Sequence, residues 1–302
     1  MTELNETGPI FKARFGRKRG QSRFLVGSQP TPFVLRGALP QLGRTIEAEI
    51  IPRLVMAHGK SAHGKSAAPR VPLVATEQAR DAVAFADMML GPDDGRAAAC
   101  IQSHRDQGTA LETIYLDLLV PAARHLRHLW MDDERDFAEI TLGLWRLQQL
   151  LRDFSAAFQA DVAVRSAGLR VLLTPAPGET HDVGYMMFGL VLAGEFFRRD
   201  GFDTWIEPDS AATDFINTVR TQWFNVVEFF ANTDKKLDDL ASNIRMVRRE
   251  SSNQDIGVMV CGPAFTERPE LVLLVGGDAV VSDISQEASQ ARHVVSLLTD
   301  RR

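Results

Sequence analysis

The sequence predicts a helical bundle followed by a five-stranded, parallel, doubly wound α/β domain. Three observations predict it. Apolar residues recur at helical spacing through residues 71–164. Short β-rich runs then alternate with amphipathic helices through 165–302, the pattern of parallel strands joined by crossover helices. Before both, residues 1–70 lack sustained periodicity and end in the imperfect duplication His58-Gly-Lys-Ser-Ala-His63-Gly-Lys-Ser-Ala, which reads as a flexible linker. A chain of 302 residues is long enough for about two domains.

In the first segment, Leu42, Ile46, Ile50, Ile51 and Leu54 fall at helical spacing, and Pro52 limits or kinks that helix. In the bundle, Ala82 to Leu90 forms a helix that Gly91-Pro92 ends. Further helices run from Arg96 to about Gly108, from Ala110 to Leu119 with Pro121 close behind, and from Arg124 to Trp130. Asp132-Asp133 makes a turn or a new N-terminus, since aspartate accepts orphan N–H bonds there. The last helix, Asp136 to Phe158, carries Phe137, Ile140, Leu144, Leu147, Leu151 and Phe154 on one face.

The α/β domain is expected to use strands at Arg170–Thr174, Asp203–Ile206, Phe224–Glu228, Ile256–Val260 and Leu271–Val275. Helices are expected at Tyr185–Asp200, Ala211–Arg220, Asp234–Glu250, near Thr266 and at Ser285–Leu298. Ligands of such sheets bind beyond the carboxyl ends of the strands. The loops after Thr174, Glu228 and Val275 are therefore where a site is expected.

Composition excludes several classes. A net charge of −5 gives no global field for nucleic acid. Two cysteines, Cys100 and Cys261, cannot build a disulfide framework or a four-thiolate metal site, so a reducing, cytoplasmic setting is expected. There is no signal-peptide pattern and no apolar run long enough to span a bilayer, so no membrane role is expected. One local exception is basic: Lys12, Arg14, Arg17, Lys18, Arg19 and Arg23 lie in a stretch without an acidic residue. They can contact DNA phosphates, or they form a solvated tail. His58 and His63 lack further ligands for a metal site.

The loop after the first strand reads Gly178-Glu179-Thr180-His181-Asp182-Val183-Gly184 and leads into a helix. This acid-x-His-x-x-Gly pattern resembles the Asp-x-His-x-x-Gly motif of cobalamin-binding domains such as those of methionine synthase, methylmalonyl-CoA mutase and CarH. The resemblance implies a Rossmann-like (flavodoxin-like) domain with His181 as lower axial ligand to cobalt. Glu179 would hold the second imidazole nitrogen, as a carboxylate does behind many ligating histidines. Asp182 would belong to the same loop, and Gly184 would leave space at the helix start. Gly276-Gly277 would leave room for the displaced nucleotide tail. The family's Ser-x-Leu strand is altered: Phe230 stands at the serine position and Asn232 at the leucine. Phe229 or Phe230 would then stack on the tail, or the tail is held differently, or the pocket takes haem, for which histidine is a common axial ligand.

The bundle carries the same resemblance. Trp130 fits the tryptophan of the CarH-like Trp-x(9)-Glu-His motif, but Ile140 and Thr141 stand at the Glu-His positions. Hydroxo- or aquocobalamin is thus favoured over adenosylcobalamin. His125 and His128 either reach the upper face or are exposed helix residues. The stretch Leu126 to Gln149 resembles the AerR/PpaA-type antirepressors of purple photosynthetic bacteria, over about Val71 to the end and more loosely Leu35 to Gly59. That resemblance implies a non-enzymatic, cobalamin-binding, light-responsive regulator whose partner is a PpsR/CrtJ-type repressor of photosynthesis genes. A haem-binding redox sensor and a corrinoid methyl carrier are the alternatives.

Overall fold

The structure, a computed structural model, describes residues 77–92, 95–160, 168–179, 182–210 and 213–300. The basic segment from Lys12 to Arg23, the helix expected over Leu42–Leu54, the linker histidines and His181 lie outside the described residues.

Helices α1 (Glu77–Leu90), α2 (Arg96–Asp106), α3 (Leu111–Ile114), α4 (Val120–Met131) and α5 (Phe137–Ala160) form the N-terminal layer. Pro121 does not end the third helix, contrary to expectation. A π turn, Tyr115–Leu119, joins α3 to α4 in one rod. A proline ring clashes with the carbonyl four residues back in an α-helix, and the wider π turn just before it relieves that clash. Asp132-Asp133 proves to be a turn, with Asp133 at φ 57°. The start of α5 is capped by Asp136, whose carboxylate accepts from Glu139 N at 2.8 Å while Glu139 accepts from Asp136 N at 3.3 Å.

The second layer contains β1 (Arg170–Pro175), α6 (Val183–Arg199), β2 (Asp203–Ile206), α7 (Thr213–Thr221), β3 (Val226–Phe230), α8 (Leu237–Glu250), β4 (Gly257–Cys261), α9 (Pro263–Glu267), α10 (Leu271–Val275), β5 (Ala279–Val280) and α11 (Glu287–Thr299). All pairings are parallel and the strand order is β2-β1-β3-β4-β5. The order reverses between β1 and β3, which makes the loops after these two strands the walls of the switch-point crevice.

Two expected strands move. The third begins two residues later, at Val226. The fifth is not Leu271–Val275, which is a short helix, but the two residues Ala279–Val280. Gly276 ends that helix at φ 80°, the left-handed position a glycine fills best, and a Cβ on Gly277 would lie 2.9 Å from Val272 Cγ2. The pair therefore precedes β5: Asp278 N donates to Val258 O near the start of β4. Gly276-Gly277 stands at the amino end of the sheet, opposite the loop that follows β1.

One face of the sheet packs Leu172, Val227, Phe229, Val258 and Val260 against α7, α8 and α9. The other packs Val171, Leu173, Val226 and Met259 against α6 and α11. Helix α6 is apolar nearly all round because it has two partners. Met186, Leu190, Ala193 and Phe197 face the sheet, while Phe188, Val191, Leu192 and Phe196 join the bundle core with Leu144, Leu147, Leu151 and Phe158. Two charged side chains on this helix reach across to the bundle. Glu195 accepts from Ser155 Oγ at 2.5 Å and Arg198 Nη2 at 2.7 Å, and Arg199 pairs with Glu112 at 2.6 Å.

Glu228 is different. It sits fully buried in the middle of β3, and burial pushes its carboxyl from 4.5 up to about 7. Between those values the folded chain holds a proton that the unfolded chain has lost, so this group makes stability fall as pH rises through that window. Buried Glu287 shifts in the same direction. We expect Glu228→Gln to be more stable relative to wild type at about pH 8 than at about pH 5, a difference read from thermal melts of both proteins across that range.

Candidate functional site

The loops after β1 and β3 interlock. Ala176 N donates to Phe230 O at 2.7 Å, and the side chain of Lys236 crosses directly over Gly178, which leaves no room there for a Cβ. Gly178 also turns at φ 76°. Glu179 Oε1 then accepts from the backbone N–H of Asn232 at 3.0 Å and of Thr233 at 3.1 Å. Burial raises the Glu179 carboxyl while these two donors oppose the rise. The residue expected to orient His181 clamps the two crevice loops together. Beside it, the buried Asn232 carboxamide faces the same carboxylate and joins the two backbone donors in opposing the rise.

At the other end of the loop, Asp182 is the N-cap residue of α6 but does not cap with its side chain. Its Oδ2 instead accepts from Arg127 Nε of α4 at 2.5 Å. The Arg127 guanidinium lies 5.4 Å from the ring centre of Tyr185. This pair spans a narrow, shallow crevice between the bundle and the sheet domain. Trp130, Phe137, Ile140, Thr141 and Leu144 line its bundle side, and Asp182 to Tyr185 line the other. Trp130 is held edge-on by Phe137 with ring centres 5.9 Å apart.

The structure therefore gathers Trp130, Ile140, Thr141, Asp182 and Gly184 in one cleft, with Glu179 in the loop that leads to it. It does not gather the rest of the expected set. Gly184 leaves no free space: a Cβ there would lie 3.0 Å from Leu144 Cδ1, so this glycine serves the close approach of α5 to α6. His125 is half-buried and His128 exposed, and neither lines the cleft. Desolvation and then the neighbouring Arg127 lower the His128 imidazole below its ordinary value. Phe229 is buried on the far face of the sheet, edge to face with Phe215 at 6.0 Å. That leaves Phe230, whose ring packs against Gly189 of α6.

Gly262 was not expected. It follows β4 at the carboxyl end of the sheet with φ 96°, and a Cβ there would collide with Ala231 O at 2.4 Å. The signal was present as Gly-Pro directly after a strand-like run. It, not Gly276-Gly277, is the glycine that the backbone on this side of the sheet requires.

No family model matches the chain. An uncharacterized 20.5 kDa protein from the bchF-crtJ intergenic region of Rhodobacter capsulatus is 25% identical over 169 residues, which span 56% of this chain and 85% of that relative. Among solved structures, the monomethylamine corrinoid protein of Methanosarcina barkeri superposes with a TM-score of 0.55 at 11% identity, covering 71% of this chain and 98% of that one. The two chains share a fold. It is the Rossmann-like fold of a corrinoid protein, with helices packed ahead of the sheet. Among the described residues, no helix is long and apolar enough to cross a membrane.

The clamp makes a direct prediction. Glu179→Ala leaves two loop amides without their acceptor and is expected to cost about 1–3 kcal/mol in denaturant unfolding. Glu179→Gln keeps a carbonyl oxygen and is expected to cost less.

Proposed function

We propose that this chain is a corrinoid-binding regulator that takes cobalamin at the switch-point crevice, between the bundle and the carboxyl end of the sheet. The observation that carries the reading is the convergence there of Trp130, Ile140 and Thr141 from the bundle with Asp182–Tyr185 at the start of α6. The likeness of the whole fold to a corrinoid protein supports it. The lining also fits the group in kind. The cleft wall is aromatic and aliphatic, as a flat macrocycle needs.

In this reading His181 would ligate the cobalt, and Glu179 would steady the loop that carries it. A corrinoid, when bound, would supply a cobalt centre responsive to light and redox state. Trp130 would shield the bound ring, and Ile140 and Thr141 offer no acid or imidazole to hold an adenosyl group, so hydroxo- or aquocobalamin would be the preferred form. The function is regulation by population shift rather than turnover. Its partner is a PpsR/CrtJ-type repressor of photosynthesis genes, with Lys12, Arg14, Arg17, Lys18, Arg19 and Arg23 available to DNA. The R. capsulatus relative from the bchF-crtJ region favours this role over a methyl carrier.

The cleft is narrow, and the Arg127–Asp182 bridge spans it. Opening that bridge is part of admitting the cofactor. Arg127→Ala is therefore expected to tighten cobalamin binding by about two- to fivefold, measured by absorption titration.

Reconstitution tests the whole reading. Full-length protein mixed separately with hydroxocobalamin, adenosylcobalamin and haemin is expected to bind hydroxocobalamin stoichiometrically. His181→Ala is expected to weaken that binding by at least about tenfold. Uptake of haemin alone would overturn the corrinoid reading in favour of a haem sensor. Capture of a PpsR-like repressor by the loaded protein supports regulation, whereas methyl transfer from a methylated corrinoid would support a carrier.

A further inference from the structure

Away from the crevice loops, the layer between the sheet and helix α11 holds three acidic groups in an otherwise apolar core. Glu228 comes from the middle of β3, Cys261 from the end of β4 and Glu287 from the first turn of α11. Their relative exposures are 0%, 6% and 3%. One ligand atom from each lies within 4.8 Å of the others. Their surroundings are Val171, Leu173, Met186, Met259 and Ala288.

The hydrogen bonds do not close this group. Cys261 Sγ donates to Glu228 Oε1 at 3.2 Å. Glu228 Oε2 and Glu287 Oε2 are both buried without a partner. Among the described residues, no basic side chain acts on either carboxyl. The charged neighbours that act on the three groups are one another and the exposed Asp283, all acidic. Burying two carboxyls together without a donor or a cation is costly, and a fold retains such a pair only with something to offset it.

We propose that Glu228, Cys261 and Glu287 form a buried site for a divalent cation of the zinc class. The donor set decides the class. One thiolate with two carboxylate oxygens is too soft a set for calcium or magnesium, which prefer oxygen throughout, and suits zinc or ferrous iron. Zinc binds sulfur at about 2.3 Å and carboxylate oxygen at about 2.0–2.2 Å, so ligand atoms a few ångströms apart close on one ion after small side-chain rotations. Three protein ligands leave a fourth position for water. The ion would tie the neighbouring strands β3 and β4 to α11. The site is distinct from the cleft and does not depend on the corrinoid reading.

Binding exchanges protons for metal. The Cys261 thiol and the protonated carboxyls release their protons to solvent as the ion enters, so uptake weakens as pH falls. No electron is transferred.

The test uses full-length, metal-stripped and corrinoid-free protein. Zinc titration against a competing chelator is expected to show one tight equivalent. Cobalt(II) ion is expected to give a thiolate-to-metal charge-transfer band that Cys261→Ser abolishes and Cys100→Ser retains. Glu228→Gln and Glu287→Gln are each expected to lower zinc affinity by at least about tenfold. Zinc is also expected to raise the melting temperature of wild type and not that of the double Gln variant. That double variant keeps the proposal testable if Cys261→Ser does not fold, because it replaces buried acids with neutral groups of the same size. No zinc uptake by wild type, or equal uptake by the double Gln variant, would overturn the site. Loss of cobalamin binding in the parallel reconstitution would leave this result unaffected, so the two readings fail separately.

Discussion

Burial of helix α6 on two sides is the constraint that the rest of the structure depends on. Most surface helices of α/β proteins have one apolar stripe. This one must satisfy the sheet through Met186, Leu190 and Phe197 and the bundle through Phe188, Leu192 and Phe196. The bundle is therefore not an independent body tethered to the sheet domain. Its longest helix, α5, shares a core with α6, and the polar residues Glu195 and Arg199 lock the contact through Ser155 and Glu112. Because α6 begins directly after the β1 loop, its position also fixes that loop and sets the cleft against Trp130 and Leu144.

The energetic logic of the crevice follows. The loops after β1 and β3 anchor Ala176 and Ala231 in the apolar core and are joined to each other by specific polar contacts. Glu179 accepting two backbone donors costs the carboxylate part of its hydration, which its raised proton affinity reflects. The Arg127–Asp182 bridge holds the facing side with a charge-assisted bond. Both contacts are polar and join segments more than 50 positions apart in the chain.

Much of the fold was legible because its signals were periodic. The strands at Arg170 and Asp203 and the helices bounded near Arg199 and Glu250 followed hydrophobic spacing and terminal residues. Leu271–Val275 failed because a five-residue apolar run fits a buried strand and a helical turn equally well, and spacing alone cannot separate them. Its leucines Leu273 and Leu274 are in fact exposed, at 82% and 65%. The true edge strand, Ala279–Val280, is too short to carry a period. In the site, Trp130, Glu179 and Asp182 were legible from their motif positions, but their partners were not. Arg127 and Asn232 stand 55 and 53 positions away from the residues they meet, and nothing in local spacing pairs them. Phe229 and Phe230 could not be assigned until the strand register placed them on opposite faces.

The π turn at Tyr115–Leu119 has a geometric consequence for the cleft. One extra residue in a turn shifts the phase of everything downstream by about 100° relative to an uninterrupted α-helix. Upstream of it, Leu111 and Ile114 point into the bundle interior. Downstream, Arg127 and Trp130 look out toward the sheet domain. An uninterrupted α-helix would present one of these pairs at a different angle. The π turn thus sets the azimuth at which the rod aims the two side chains that face the crevice.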